Sequence, residues 1–348
     1  MNNEIGAVSA AASATTTVLS AAASAALIIV LRPWLRRYAL AMPNARSSHR
    51  DPTPQGGGIA VIAATIVAAC MTVYFFPIGG SPAASLHAVF AGVVLMASIG
   101  VVDDIHPVAA GPRLLLQALI VAGVIYWLPD QLRIFLQLPL WLERSLLVLG
   151  GLWFINLVNF MDGIDWMTAA EVIPLTATLV VLGQIQAFPA YGAVVAAALG
   201  GAVLGFAYFN RPVARLFLGD VGSLPIGLML GWLLLLVATR GHLAAALVMP
   251  LYYLADATIT LLRRLILGEP IWQAHRTHFY QLATERGFTV TEVVLWVSVA
   301  NLGLCALALL TVIAPGRLSD VGALLGGATL VTCLLFAFAH GKGKLRDR

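Results

Sequence analysis

The chain has 348 residues, of which 60% are hydrophobic and only 10% charged, and its formal net charge is +4. A soluble domain carries about a quarter charged residues, so this composition excludes one and predicts an all-α integral membrane protein. With roughly 20 apolar residues needed per crossing there is room for many spans, and residues 1–348 are expected to form one polytopic domain.

Apolar runs predict about eleven transmembrane helices: 15–32, 57–76, 84–102, 113–128, 144–160, 168–183, 190–209, 223–239, 243–266, 290–313 and 320–339. The first follows "MNNEIGAVSAAASATTT", which lacks the basic n-region of a cleaved signal peptide, so it is expected to stay as a span. Between the first two spans lies the polar loop "MPNARSSHRDPTPQGGG" (42–58), which contains His49. The third span ends in "VVDDIHPVAAGPR" (101–113). Adjacent Asp103 and Asp104 repel unless a cation or a shared proton relieves them. They also sit at a helix C-terminus, where the dipole disfavours negative charge. Solvated helix-end charges are the plain alternative.

The fifth span runs into "NLVNFMDGIDWMT" (156–168), where Asn156, Asn159, Asp162 and Asp165 recur every third residue. That spacing predicts a polar stripe on one helix face, with Gly163 bending or ending the helix. Ordinary caps are the alternative, but four such groups in lipid need many partners, which favours a hydrated polar cavity. "NRPVARLFLGDVGS" (210–223) puts Asp220 between two glycines, as a functional acid or as an N-cap. Asp256 lies inside the ninth span and is expected to face protein, in a functional or a structural hydrogen bond. Last comes "RRLILGEPIWQAHRTHFYQLATERG" (263–287) with His275, Arg276 and His278. No third ligand stands at zinc spacing, and His with Arg suits phosphate better. Cys70, Cys305 and Cys333 fall in separate apolar runs and read as packing residues.

With eleven spans, 16 basic residues fall in the loops of one side and 4 in those of the other. The positive-inside rule then puts the N-terminus outside and the C-terminus in the cytoplasm, with every chemically loaded loop cytoplasmic. Together the clusters read as a site for a phosphate substrate, a hard cation on oxygen ligands and basic residues neutralising the remaining charge. No Walker motif or dinucleotide-binding fingerprint is present.

These motifs, in this order across residues 42–287, resemble those of the polyprenyl-phosphate N-acetylhexosamine-1-phosphate transferases of glycosyltransferase family 4. "PNARSSHRDPTPQGGG" resembles the family's first loop, "GVVDDIHPVAAGPRLLLQ" its DD motif with a following basic residue and Gln, and "NLVNFMDGIDWMT" its NxxNxxDGxDGL motif. "FLGDVGS" resembles its GDxGS motif and "HRTHFYQ" its final His/Arg loop, in a form most similar to the O-antigen-initiating branch. The resemblance implies a bacterial inner-membrane enzyme that moves a sugar 1-phosphate from a UDP-N-acetylhexosamine to undecaprenyl phosphate and releases UMP. It implies Asp103 and Asp104 as catalytic, serving the attacking lipid phosphate as base or metal-side carboxylate. Asn159 and Asp220 would bind Mg²⁺, or Mn²⁺ in its place. Asn156, Asp162, Asp165, His49, Arg113, His275, Arg276 and His278 would contact substrate, with Asp165 near uracil. The expected partners are the two substrates, the lipid bilayer and a second copy in a homodimer, with no nucleic acid.

The chain departs from the pattern at Trp166, where the family has Gly. The ring is expected to narrow or stack in the nucleotide pocket and alter sugar preference, or else to sit in the interfacial belt. The main rival reading is a secondary transporter of an anionic solute. A transporter would place its polar groups at the bilayer midplane on broken helices of internal repeats, whereas these acids gather at helix ends and no repeat is visible. A scaffolding protein would have no use for five polar clusters on one side.

Overall fold

A computed structural model describes residues 2–41, 52–76, 83–270 and 275–342. Thirteen helices follow in order: α1 (Asn2–Tyr38), α2 (Gly58–Phe75), α3 (Ala83–Ile105), α4 (Ala110–Tyr126), α5 (Leu140–Met161), α6 (Met167–Gln184) and α7 (Ala190–Ala207), then α8 (Asp220–Thr239), α9 (Leu243–Val248), α10 (Leu251–Ile266), α11 (Phe279–Glu285), α12 (Val290–Ile313) and α13 (Arg317–His340). In hydrocarbon each backbone polar group must be satisfied within its own segment, so apolar runs of this length become helices. The strands among the described residues are the two-residue pieces β1 (Leu40–Ala41) and β2 (Thr53–Pro54), paired antiparallel with Leu40 opposite Pro54.

Nine helices among the described residues are long and apolar enough to cross a membrane. The other two expected spans are α4, which has 17 residues, and the 243–266 run. That run was expected as one span and is two helices. Pro250 stands between them at the N-cap of α10; it has no N–H to continue the α9 ladder.

Helices α7 and α8 form the inner layer, and nearly every residue of each is buried. Helix α1 lies closely along α7, where Gly201 and Gly205 meet the backbone of Thr17 and Ala21, and Ser20 Oγ donates to Ala198 O at 2.7 Å. Helices α3 and α5 pack on α8, and α6 lies between α7 and α12. The segment before α8 is fixed by β-like bonds: Phe217 N donates to Pro54 O, and Gly57 N and Gly58 N donate to Phe217 O and Leu218 O. This docking aims the start of α8 at the end of α3.

Candidate active site

The acids of the DD pair have different jobs. Helix α3 reaches α8 at Gly100, where any β-carbon would run into the backbone of Asp220. That approach brings Asp104 onto the start of α8. Asp104 Oδ1 accepts from Asp220 N at 2.9 Å, its Oδ2 accepts from Val221 N at 3.1 Å, and Gln55 Nε2 donates to it as well. The first N–H groups of a helix have no intrahelical acceptor. Gly219, at φ +78°, has no side chain to supply one, so Asp104 caps α8 from another helix. Asp220 is therefore not the N-cap considered above.

Asp103 points the other way. It accepts from Val108 N at 2.7 Å and pairs with the Arg113 guanidinium. Arg113 also stands 3.6 Å from Asp220, and the Asp103 and Asp220 carboxyls lie against each other. Asp220 Oδ1 accepts from Asn159 Nδ2 at 2.8 Å, and the same amide donates to Ser223 Oγ at 2.9 Å. Four helices thus bring Asp103, Arg113, Asn159 and Asp220 to one place.

The period-three stripe does not persist, because α5 ends at Met161. Gly163 lies against the Tyr280 hydroxyl so closely that a side chain there would displace the ring. Asp162 is the C-cap of α5 and accepts from Thr168 Oγ1. Its carboxyl is pushed up to about 8, chiefly by desolvation; the Thr168 hydroxyl opposes the shift, and the charges of Asp220, Asp104 and Asp165 add to it. Asp165 is buried, and its Oδ2 accepts from Ala214 N at 2.9 Å. Asn156 lies one helical turn below Asn159, also buried, and donates to Gln117 Oε1 and Leu152 O, each at 2.8 Å. It belongs to the layer under the acid cluster.

Trp166 is half-buried and packs against the core. It occupies the left-handed region at φ 64° and is the N-cap of α6. Its backbone N–H donates to Asn210 Oδ1 at 2.8 Å, and its indole Nε1–H donates to Ala207 O at 2.6 Å.

The His/Arg segment is hooked down by Asp256, and here the structural alternative is the observed one. Asp256 is fully buried and accepts from Phe279 N at 2.9 Å, Tyr280 N at 3.2 Å and the Tyr252 hydroxyl at 3.1 Å. His278 Nδ1 stands 3.3 Å from the same carboxylate. The Tyr280 hydroxyl then donates to Phe160 O at 3.0 Å, tying α11 to the end of α5. His275 stacks on His278 with ring centroids 4.9 Å apart, and Arg276 Nε is 4.0 Å from Glu285. His49 lies outside the described residues.

Gln55, Ser223, Thr168, Asn210 and Tyr280 take part in this arrangement although sequence reasoning did not single them out. Gln55 and Asn210 stood within quoted loops, and nothing in their spacing marked them. Chemically, the donor set is oxygen only. Among the described residues Asp103 and Asp220 share a near cation, Arg113, and Asp104 and Asp165 add negative charge close by. Among the described residues no three His, Cys, Asp or Glu already form a metal cluster. Two or three protein oxygens, completed by water and substrate phosphates, are what Mg²⁺ uses. The residues fit such an ion: Asp220 and Asp103 offer carboxylates, and Asn159, whose amide N–H groups are engaged, retains its carbonyl oxygen.

The described residues are a bundle of apolar helices with acids, an arginine and imidazoles gathered at one end, an arrangement suited to charged ligands at a membrane. The sequence profile of glycosyl transferase family 4 matches residues 86–238. A probable undecaprenyl-phosphate N-acetylglucosaminyl 1-phosphate transferase of Bacillus subtilis (strain 168) is 23% identical over 273 residues, covering 72% of this chain and 72% of the relative. A phospho-N-acetylmuramoyl-pentapeptide-transferase of Streptococcus mutans serotype c is 28% identical over 254 residues, covering 62% of this chain and 73% of the relative. A decaprenyl-phosphate N-acetylglucosaminephosphotransferase of Mycolicibacterium smegmatis is 32% identical over 229 residues, covering 57% and 53%. The chain is similar to glycosyl transferase family 4 over residues 86–238, and it is a multi-pass protein of the bacterial inner membrane. The transporter alternative finds no support among these relatives.

Proposed function

We propose that the chain moves N-acetylhexosamine 1-phosphate from UDP-N-acetylhexosamine onto undecaprenyl phosphate, releasing UMP, at the cytoplasmic membrane face. The product, undecaprenyl diphosphate-N-acetylhexosamine, would start O-antigen or a related envelope polysaccharide. The observation that carries this reading is the single cluster of Asp103, Arg113, Asn159 and Asp220 drawn from four helices. The names of the relatives support the substrate class.

In this reading Asp103 and Arg113 face the acceptor phosphate. Asp104, with its oxygens already accepting N–H groups, orients the start of α8. Asp220 and Asn159 hold Mg²⁺ or Mn²⁺, which when bound offsets phosphate charge. Asp162 and Asp165 line the nucleotide side, and His275, Arg276 and His278 meet the diphosphate or sugar. Phosphoryl transfer needs mainly positioning and charge neutralisation, which this set supplies.

The test incubates purified protein with undecaprenyl phosphate, Mg²⁺ and a panel of UDP-N-acetylhexosamines, and follows the lipid product by mass spectrometry. One donor is expected to give a lipid diphosphate sugar plus UMP. Chelation should abolish turnover, and Mg²⁺ or Mn²⁺ should restore it, because hard oxygen ligands dominate the site. Absence of product with every donor, or full activity in excess chelator, would sink the corresponding part.

A further inference from the structure

Trp166 stands where the family resemblance expects glycine, and its backbone explains the expectation. At φ 64° a glycine sits without strain, whereas an L side chain is disfavoured. Something must offset that cost. The indole N–H donates to Ala207 O, the last carbonyl of α7, at 2.6 Å. Carbonyls in the last turn of a helix have no intrahelical donor, so the ring caps the C-terminus of α7 from outside.

The same two residues grip the following segment twice more. The Trp166 backbone N–H reaches Asn210 Oδ1, and Asn210 Nδ2 then donates to Leu216 O at 3.0 Å. The neighbouring Asp165 accepts from Ala214 N. Residues 208–219 connect α7 to Asp220, and the acid-bearing turn holds this stretch at Ala207, Asn210 and Ala214. The indole bond at Ala207 and the packing of the ring against the core are what a glycine cannot supply.

We propose that Trp166 is a positioning residue for the nucleotide-sugar donor, its indole N–H fixing residues 208–219 in one conformation against the turn that carries Asp162 and Asp165. The proposal rests on the reading above, in which that turn faces the donor. A prefixed segment lowers the ordering cost of binding, so the effect belongs in donor KM and not in kcat.

The test uses the full-length protein in lipid nanodiscs as wild type, Trp166→Gly and Trp166→Phe. Glycine tolerates the backbone angle, so that variant is expected to fold; Trp166→Phe keeps an aromatic ring and loses the N–H with part of the ring volume. Two quantities are read: steady-state kinetics with the donor that the wild type uses, and amide hydrogen exchange over 208–219 without substrate. Trp166→Gly should raise donor KM about tenfold, or about 1.4 kcal/mol, with kcat and the lipid KM unchanged. Exchange over 208–219 should quicken in both variants, and Trp166→Phe should fall between the other two in KM. Unchanged exchange in both variants overturns the proposal. So does a uniform fall of kcat, both affinities and thermal stability, which marks a packing residue only. If the wild type turns over no UDP-sugar, the proposed function fails, and the exchange measurement still decides whether the indole fixes the segment.

Discussion

At the residue level, the three acids nearest Arg113 are separated by what already occupies their oxygens. Asp104 accepts from Gln55 and from the first two N–H groups of α8. Asp104→Asn turns one acceptor oxygen into a donor facing a donor. It should lower stability by about 1–2 kcal/mol, the range of a lost N-cap or an unsatisfied buried group. Asp103 and Asp220 cap nothing in α8, so their amide variants should unfold at nearly the wild-type temperature. Asp220→Asn should still slow turnover by at least about two orders of magnitude, the scale of one well-placed electrostatic group. Thermal midpoints and single-donor turnover on the three variants check the ranking. A stable Asp104→Asn would remove the capping role, and a near-normal rate in Asp220→Asn would remove Asp220 from the chemistry.

Among the elements, α11 has seven residues, too few for a helix to be stable alone, so its place depends on contacts from elsewhere. Asp256 supplies them, accepting from two backbone N–H groups of α11 and from Tyr252. Asp256→Ala leaves those donors buried and unpaired. The expected cost is about 3 kcal/mol, within the range for breaking a buried polar network. Limited proteolysis should then cut residues 263–287 first, ahead of global unfolding. Equal protease resistance in the variant would mean that α11 is held by packing alone. The same contrast explains what could be read in advance. Ten of the eleven apolar runs became single helices because length and hydropathy act locally, and the five polar clusters stood out because polar residues are rare in such a chain. The outside caps were not legible: Asp104 on α8, Asp256 on α11 and Trp166 on α7 join residues far apart in sequence. The stripe from Asn156 to Asp165 breaks off where Gly163 was expected to bend or end the helix, and only the contact of Gly163 with Tyr280 was hidden from sequence. Pro250 was visible, and its break in the ninth run was the local signal passed over.

Across the whole molecule, chain direction carries the argument. Helix α3 ends at the acid cluster, α4 begins there, α5 ends there, α6 begins there, α7 ends there and α8 begins there. Six successive helices therefore alternate in direction, as membrane crossings joined by short loops must. The arginines follow the same alternation. Arg113, Arg211, Arg215, Arg263, Arg264 and Arg276 lie at the ends that carry the cluster, whereas Arg133, Arg144, Arg240 and Arg317 lie at the opposite ends. Basic residues favour the cytoplasmic side in short loops, so the cluster end is expected to face the cytoplasm. Cysteine substitution tests this with exposed positions of known end. His106 lies in the α3–α4 connection beside the acids, and Arg240 follows α8 at the far end; both are exposed. In intact cells a membrane-impermeant maleimide should label Arg240→Cys directly. It should label His106→Cys only after the inner membrane is permeabilised. The natural cysteines do not blur the readout: Cys305 is buried and Cys70 and Cys333 lie within spanning helices, and unsubstituted protein gives the background. The reverse pattern would place the acids outside, where no cytosolic UDP-sugar reaches them, and would overturn both the topology and the proposed donor.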